Sequence, residues 1–226
     1  MSRSVLFDTE TTGLDPMAGD RVIEVAAVEL VNDLPTGKHF HALIHPDRDI
    51  PDEVVRIHGI TLESLLGKPR FHEIAEEMLD FMGDGRLVAH NAPFDFGFVN
   101  AELSRLDRPP LAVARMVDTL ALAKARFPGM PNSLDALCRR FGIDLTERTS
   151  HNALLDCRLL AEVYIELTGG RQRGLGLATS GRGNGPVVDY RVDPARAPRL
   201  LAPTEAELAA HAAFVRRLAD PVWDRP

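Results

Sequence analysis

A chain of 226 residues with 45% hydrophobic and 26% charged side chains lies in the ordinary globular range, which excludes disordered, collagenous and disulfide-scaffold chains. No apolar run approaches the roughly 18 residues needed to span a bilayer, and MSRSVLFDTE meets an acid at Asp8 before a signal segment forms, so the expectation is a cytoplasmic protein without a membrane partner. Charge is uneven: 17 basic against 27 acidic residues in 1–168, 6 against 2 in 169–199, and 3 against 4 in 200–226, which excludes a binder relying on its own basic groove for nucleic acid.

In chain order, 3–7 (RSVLF), 21–31 (RVIEVAAVELV) and 38–45 (KHFHALIH) read as strands joined by turn-rich pieces, Gly13 to Gly19 and Asn32 to Gly37. From residue 62 the period changes. Helical spacing covers 62–82, 93–107, 118–126, 133–141 and 152–168, interrupted by a short strand at Leu87 to Ala89. The pattern predicts an α/β or α+β fold, a mixed sheet flanked by helices, over a domain of residues 1–169. Residues 169–199 hold 7 Gly and 3 Pro in 31 positions, so 170–199 is expected to be a flexible Gly/Arg-rich linker. In the terminal segment, 200–226, Thr204 and Glu207 have capping-box spacing ahead of ELAAHAAFVRRLA, which predicts one short amphipathic helix before Trp223. Cys138 and Cys157 fall inside apolar helical patterns and read as reduced core thiols.

The informative residues are acids. Period-two alternation puts Leu6, Asp8 and Glu10 on one face of the first strand and its extension. Asp95 shares a helical stripe with Phe98, Val99, Leu103 and Leu106, and Asp156 with Leu160, Val163 and Leu167. Three elements thus direct four carboxylates inward, with no Lys or Arg at helical spacing on the same faces. Buried ionised carboxylates cost several kcal/mol each unless paired with a cation. An all-oxygen cluster favours Mg²⁺ or Mn²⁺, and two such ions can flank a phosphodiester. His151 stands five residues before Asp156, about 140° away on a regular helix, so it is expected on the loop leading into that helix, where an imidazole could take a proton from water. His39, His41 and His45 share strand parity and are read as a solvated outer face.

These residues closely resemble the DEDDh 3′→5′ exonucleases of the ribonuclease-H-like fold. FDTETTG holds Asp8 and Glu10, HNAPFD holds Asp95, and HNALLD holds His151 and Asp156; a Tyr-type relative would carry tyrosine where Asn152 stands. The resemblance implies a mixed five-stranded sheet flanked by helices. It also implies two divalent metal ions held by Asp8, Glu10, Asp95 and Asp156, with His151 as base. RIHGI at 56–60, FPGMPNSLDALCRRFGID at 127–144, TSHNALLDCRLLAEVYIELTGG at 149–170 and TEAELAAH at 204–211 make the chain most similar to the epsilon branch, the proofreading subunits of bacterial DNA polymerase III.

That branch implies contacts to the DNA 3′ end, single-stranded or mispaired, from Thr11, Leu14, Ile57, His58, His90, Asn91 and Phe94. Leu14 and Phe94 would wedge or stack on a base without reading its identity. A polymerase holding the duplex would also explain why the nuclease lacks a basic groove. The terminal segment, with Leu208, Phe214, Val215, Leu218 and Trp223, would bind the polymerase alpha subunit. Gln172, Leu175 and Leu177 resemble a sliding-clamp motif, although an aromatic anchor is missing. Two other functions fit fewer of these features: a stand-alone RNA-trimming exonuclease, which has no use for a tether, and a non-catalytic polymerase–clamp adaptor, in which the acids would be retained only for structure although all five catalytic positions are present.

Overall fold

The computed structural model describes residues 2–146, 148, 152–169 and 202–217. The chain divides into two units, Met1–Leu177 and Ala178–Pro226. In the first, strands β1 (Arg3–Thr11), β2 (Val22–Val31), β3 (Leu34–Leu43), β4 (Arg86–Ala89) and β5 (Met116–Asp118) form one five-stranded sheet in the order β3-β2-β1-β4-β5. β1 pairs antiparallel with β2, and β2 with β3, while β4 is parallel to β1 and β5 parallel to β4. Helices α1 (Asp52–His58), α2 (Phe71–Met82), α3 (Ala92–Ser104), α4 (Thr119–Arg126), α5 (Leu134–Phe141) and α6 (Ala153–Leu167) complete the unit.

The alternation in β1 and β2 sorts two cores onto opposite sheet faces. Val5, Phe7, Val25 and Ala27 bury with Met78, Phe96, Phe98 and Val99 of α2 and α3. Leu6, Leu30 and Val88 bury with Leu160, Ala161 and Tyr164 of α6. Ala26 is the close-approach point on that second face: it clusters with Ala153 and Cys157, and Cys157 Sγ donates to its carbonyl at 3.3 Å. Small side chains there let the first turn of α6 lie directly against β2. Cys138 and Cys157 are both buried and unbridged, as expected, and burial pushes both thiols upward in pKa.

Several boundaries differ from the sequence expectation. β3 begins at Leu34 because Asn32 and Asp33 both take positive φ, 53° and 63°, forming a two-residue hairpin in place of the longer turn. The helical period from 62 resolves into a 3₁₀ turn at Glu63–Leu65 and a helix starting only at Phe71, with Gly67 at φ 76° and Pro69 between them. The residue pattern predicts neither α1 nor the position of β5, although the resemblance implies a fifth strand. α1 places Asp52 and Glu53 in its first turn and Arg56 and His58 in its last, the arrangement that complements the helix dipole, and ends on Gly59 at φ 76°.

In the second unit, α7 (Glu205–Val215) carries the expected capping box: Thr204 Oγ1 accepts from Glu207 N, and Glu207 Oε2 accepts from Thr204 N at 2.8 Å. Leu208 and Phe214 are exposed on it, and Val215 is buried. The linker expected at 170–199, including Gln172, Leu175 and Leu177, lies outside the described residues, as do Leu218 and Trp223. Among the described residues no helix is long and apolar enough to cross a membrane.

Candidate active site

Three of the four expected acids, Asp8, Glu10 and Asp156, meet near the C-terminal end of β1, and Asp95 lies outside that group. Asp8, on the sheet face that carries α6, is half-buried; Glu10, two residues on, is buried. Asp156 enters from the first turn of α6, and Asn152, the N-cap, fixes that turn by accepting from Leu155 N through its side chain at 3.0 Å. One carboxylate oxygen from each of Asp8, Glu10 and Asp156 lies within 4.8 Å of the others. Asp95 arrives on α3, is 97% shielded from solvent, and is anchored by Thr9, whose backbone N–H and hydroxyl both donate to Asp95 Oδ1, at 3.0 and 2.8 Å. The inward stripes read from the sequence are therefore real for Asp95 and Asp156.

The protonation energetics follow from this crowding. Burial, and then the charges of Asp95, Glu10, Asp156 and Glu24, hold Asp8 well above the usual carboxylate range. Burial first, then Glu24, Asp156 and Asp95, push Glu10 to about 8 against a smaller opposing pull from Arg148. Burial raises Asp95 to about 7 despite its two bonds from Thr9. Several anionic groups that cannot all ionise comfortably are suited to hold hard divalent cations, and the donor set is entirely oxygen.

Three neighbours escaped the sequence reading. Arg148 grips Asp156 through two parallel bonds, Nε to Oδ1 at 2.6 Å and a terminal nitrogen to Oδ2 at 2.7 Å, and reaches Asp135 Oδ1 at 2.7 Å. A search for cations at helical spacing misses it because it lies in the loop before α6. A fork of this kind uses one acceptor position on each oxygen and leaves others on both. Asp118 Oδ1 accepts from Asn91 N, Ala92 N and Leu120 N, tying the starts of α3 and α4 together. Glu24 is buried on β2 in register with Glu10. Its signal in the sequence was an acid in the apolar run VIEVAAVEL.

A cleft of about 300 Å³ opens over Asp8 and Asp156, lined also by His90, Ser133, Leu134, Asp135 and Arg148. Of the residues expected to touch DNA, only His90 lines it; its Nδ1 is 2.9 Å from Thr119 Oγ1, and burial lowers its pKa. Leu14 is 84% and Ile57 52% exposed. Thr11 and His58 are buried, the Thr11 hydroxyl donating to Gly13 O and His58 Nδ1 accepting from Ile60 N. Asn91 is exposed at φ 69°, and the Phe94 ring centroid lies 4.8 Å from that of Phe98. Gly13 has a steric reason: a Cβ there would overlap the Asp20 carboxylate. His151 lies outside the described residues; the helix that follows it starts at Ala153.

The solvated reading of the strand histidines holds for His39 and His41, which are both exposed, although His41 Nε2 also lies 2.7 Å from the buried Glu24 Oε1; His45 stands beyond the end of β3 at Leu43 and is half-buried, its Nδ1 3.2 Å from Asp47 Oδ1. His41 stands in the row Asp8, Ala26, His41 and His39 opposite Val28, so both histidines lie on the sheet face that carries α6, at its β3 edge.

Comparison with known proteins places this geometry. The Exonuclease family model matches residues 5–164. The chain is similar to the DNA polymerase III subunit epsilon of Rickettsia typhi, 46% identical over 221 residues and covering 96% of each chain. It is likewise similar to that of Escherichia coli K12, 42% identical over 224 residues and covering 94% of this chain and 92% of the relative. Among solved structures it resembles Exonuclease X in complex with 5′ overhanging duplex DNA, with TM-score 0.59, 26% identity, and coverage of 74% of this chain and 91% of that one. The nuclease domain of 3′hExo, a DEDDh family member bound to rAMP, shares the fold at TM-score 0.63 and 19% identity, covering 76% and 95%.

Proposed function

The chain belongs to the exonuclease family and, within it, to the DNA polymerase III epsilon subunits, and from that premise we infer that it is a proofreading 3′→5′ exonuclease acting at the cleft over Asp8 and Asp156. The observation that carries the assignment of the cleft is the convergence of three carboxylate oxygens within 4.8 Å, two from β1 and one from α6, which packs on the face of the sheet that Leu6 and Asp8 share. The substrate is the 3′ end of a DNA strand, single-stranded or mispaired. Asp8, Glu10, Asp95 and Asp156 hold two divalent ions, Mg²⁺ or Mn²⁺. Such ions, when bound, supply Lewis-acid stabilisation of the phosphodiester and a more acidic water.

The chain's own residues then have distinct tasks. Thr9 fixes the Asp95 carboxylate by two bonds to one oxygen. Arg148 fixes the plane of Asp156. His151, next to the N-cap of α6, accepts the proton of the attacking water, a task matched to an imidazole near neutral pH. Leu14 and Ile57, whose apolar side chains are exposed, hold the terminal nucleotide together with Thr11, His58, His90, Asn91 and Phe94. The acid-rich surface fits a nuclease that receives only a few unpaired nucleotides from a polymerase gripping the duplex. Binding of the alpha subunit is assigned to the terminal segment with Leu208, Phe214 and Trp223, and clamp binding to Gln172, Leu175 and Leu177.

The test is digestion of a 5′-labelled primer, single-stranded, matched or 3′-mismatched, alongside an RNA counterpart, with Mg²⁺, with Mn²⁺ and with chelator. Stepwise metal-dependent shortening that favours frayed DNA and is lost in Asp8→Ala is expected. Preference for RNA would transfer the site to a trimming activity, and an active Asp8→Ala protein that folds would remove Asp8 as a ligand.

A further inference from the structure

A fifth carboxylate, Glu24, lies beside the four acids and has no part in the reaction as described. It is 1% exposed and directly across the β1–β2 pair from Glu10, where its charge works against the neighbouring acid. A buried acid next to another acid is costly unless donors surround it. Three do. His41 Nε2 donates to Oε1 at 2.7 Å, Asn152 Nδ2 approaches the same oxygen at 3.4 Å, and Ala153 N donates to Oε2 at 3.3 Å. Two of these donors belong to the N-cap and first residue of α6. The same N-cap carbonyl accepts from Asp156 N at 2.9 Å. The positive end of the helix dipole further favours a carboxylate at this point. A continuous set of bonds therefore runs from β3 through Glu24 on β2 to the turn that carries Asp156 and follows residue 151.

We propose that Glu24, held by His41, is a positioning residue that docks the start of α6 onto the sheet, setting Asp156 at its working distance from Asp8 and Glu10. This rests on the exonuclease reading of the cleft. Glu24 acts through α6, without itself binding metal or DNA. An apolar residue would fill the space but leave Ala153 N and Asn152 Nδ2 without this acceptor, and Ala26, Ala153 and Cys157 alone provide contact without direction.

The experiment compares wild type, Glu24→Ala, Glu24→Gln, His41→Ala and the Glu24→Ala/His41→Ala pair in the full chain. The readouts are melting temperature in chelator, Mn²⁺ affinity by electron paramagnetic resonance, and single-turnover primer digestion at saturating DNA and metal. Glu24→Ala is expected to remain folded, to bind Mn²⁺ about tenfold more weakly, and to lose about 10- to 100-fold in single-turnover rate, the usual consequence of losing a group that orients a ligand. The KM for primer should stay unchanged. Glu24→Gln keeps an acceptor for Ala153 N and should recover most of the rate. The double variant should be no slower than Glu24→Ala, since His41 acts through Glu24.

Equal loss in Glu24→Gln and Glu24→Ala would make Glu24 a ligand and overturn the proposal. So would a lowered melting temperature with wild-type rate and Mn²⁺ affinity, which would make it purely structural. If Glu24→Ala does not fold, His41→Ala carries the test, with an expected loss of about threefold to tenfold in rate, the worth of one hydrogen bond, and an unchanged rate there would overturn the proposal. A wild-type chain without nuclease activity would refute the exonuclease reading, while the Mn²⁺ measurement would still report on whether Glu24 positions Asp156.

Discussion

Replacing Glu10 with glutamine should stabilise the metal-free protein. Glu10 is 9% exposed, and burial together with Glu24, Asp156 and Asp95 takes its carboxyl from the ordinary 4.5 to about 8. Because the folded-state value is raised, the group does no harm to the fold below about pH 4.5. It withdraws stability progressively as pH rises toward about 8. At pH 7 the ionised side chain is favoured in the unfolded chain and resisted in the folded one, a penalty of about 3 kcal/mol at ~1.4 kcal/mol for each tenfold change in proton affinity. Glutamine keeps the shape and cannot ionise. Thermal melts of Glu10→Gln in chelator should therefore exceed wild type by roughly 6–12 °C at pH 7, using the 2–4 °C per kcal/mol typical of chains this long, and should match it near pH 4. Adding Mg²⁺ should raise the wild-type melting temperature by mass action and the variant's far less, narrowing the gap. A variant no more stable than wild type at pH 7, or a gap that is the same at pH 4 and pH 7, would show that the cluster's repulsion is not what governs the metal-free site.

Removal of the base should separate chemistry from assembly: His151→Ala is expected to slow single-turnover cleavage by about 10²- to 10⁴-fold with Mn²⁺ affinity retained, and loss of Mn²⁺ binding would recast the residue as part of the metal site. Thr9→Val deletes the hydroxyl bond to Asp95 while keeping the backbone one, so denaturant melts should register a loss of about 1 kcal/mol, and an unchanged midpoint would mean the 2.8 Å contact contributes nothing. Leu14→Ala changes a side chain that is 84% exposed, so stability should stay within about 0.5 kcal/mol of wild type while processing of a frayed primer slows; equal processing would remove Leu14 from the terminal-nucleotide contacts. A chain ending at Leu177 should digest primer as the full chain does but fail to be retained by immobilised polymerase alpha subunit, and retention would place the polymerase contact in the nuclease unit.

The acids were legible because burial of charge leaves a mark on amphipathic patterns: Asp95 and Asp156 break apolar stripes whose other members do enter the core, and Asp8 and Glu10 share the parity of Leu6. The sheet was legible for the same reason, since β1 and β2 alternate between two cores. The elements that were missed are those whose existence depends on local backbone geometry or on distant partners. The hairpin at Asn32 and Asp33 is a matter of two positive φ angles, and β5 is three residues long, joined to the sheet only through β4.

The groups that hold the acids were less legible still, and for a physical reason. A ligand's own periodicity reports which face it occupies. A residue that orients it is chosen by where two chain segments cross, and sequence separation carries no trace of that crossing. Arg148 is eight residues from Asp156 and off its helix; Glu24 is 129 residues from the amide of Ala153 that it receives. His41 makes the point from the other side. Its parity is shared with His39, while His45 lies past the end of the strand, and only the β1–β2–β3 register shows that this parity faces α6, through Ala26 and toward Asp8. The four acids specify what kind of ion can bind. Glu24, Arg148 and Thr9, each from a different segment, determine whether those acids are held at one separation or allowed to spread under their mutual repulsion.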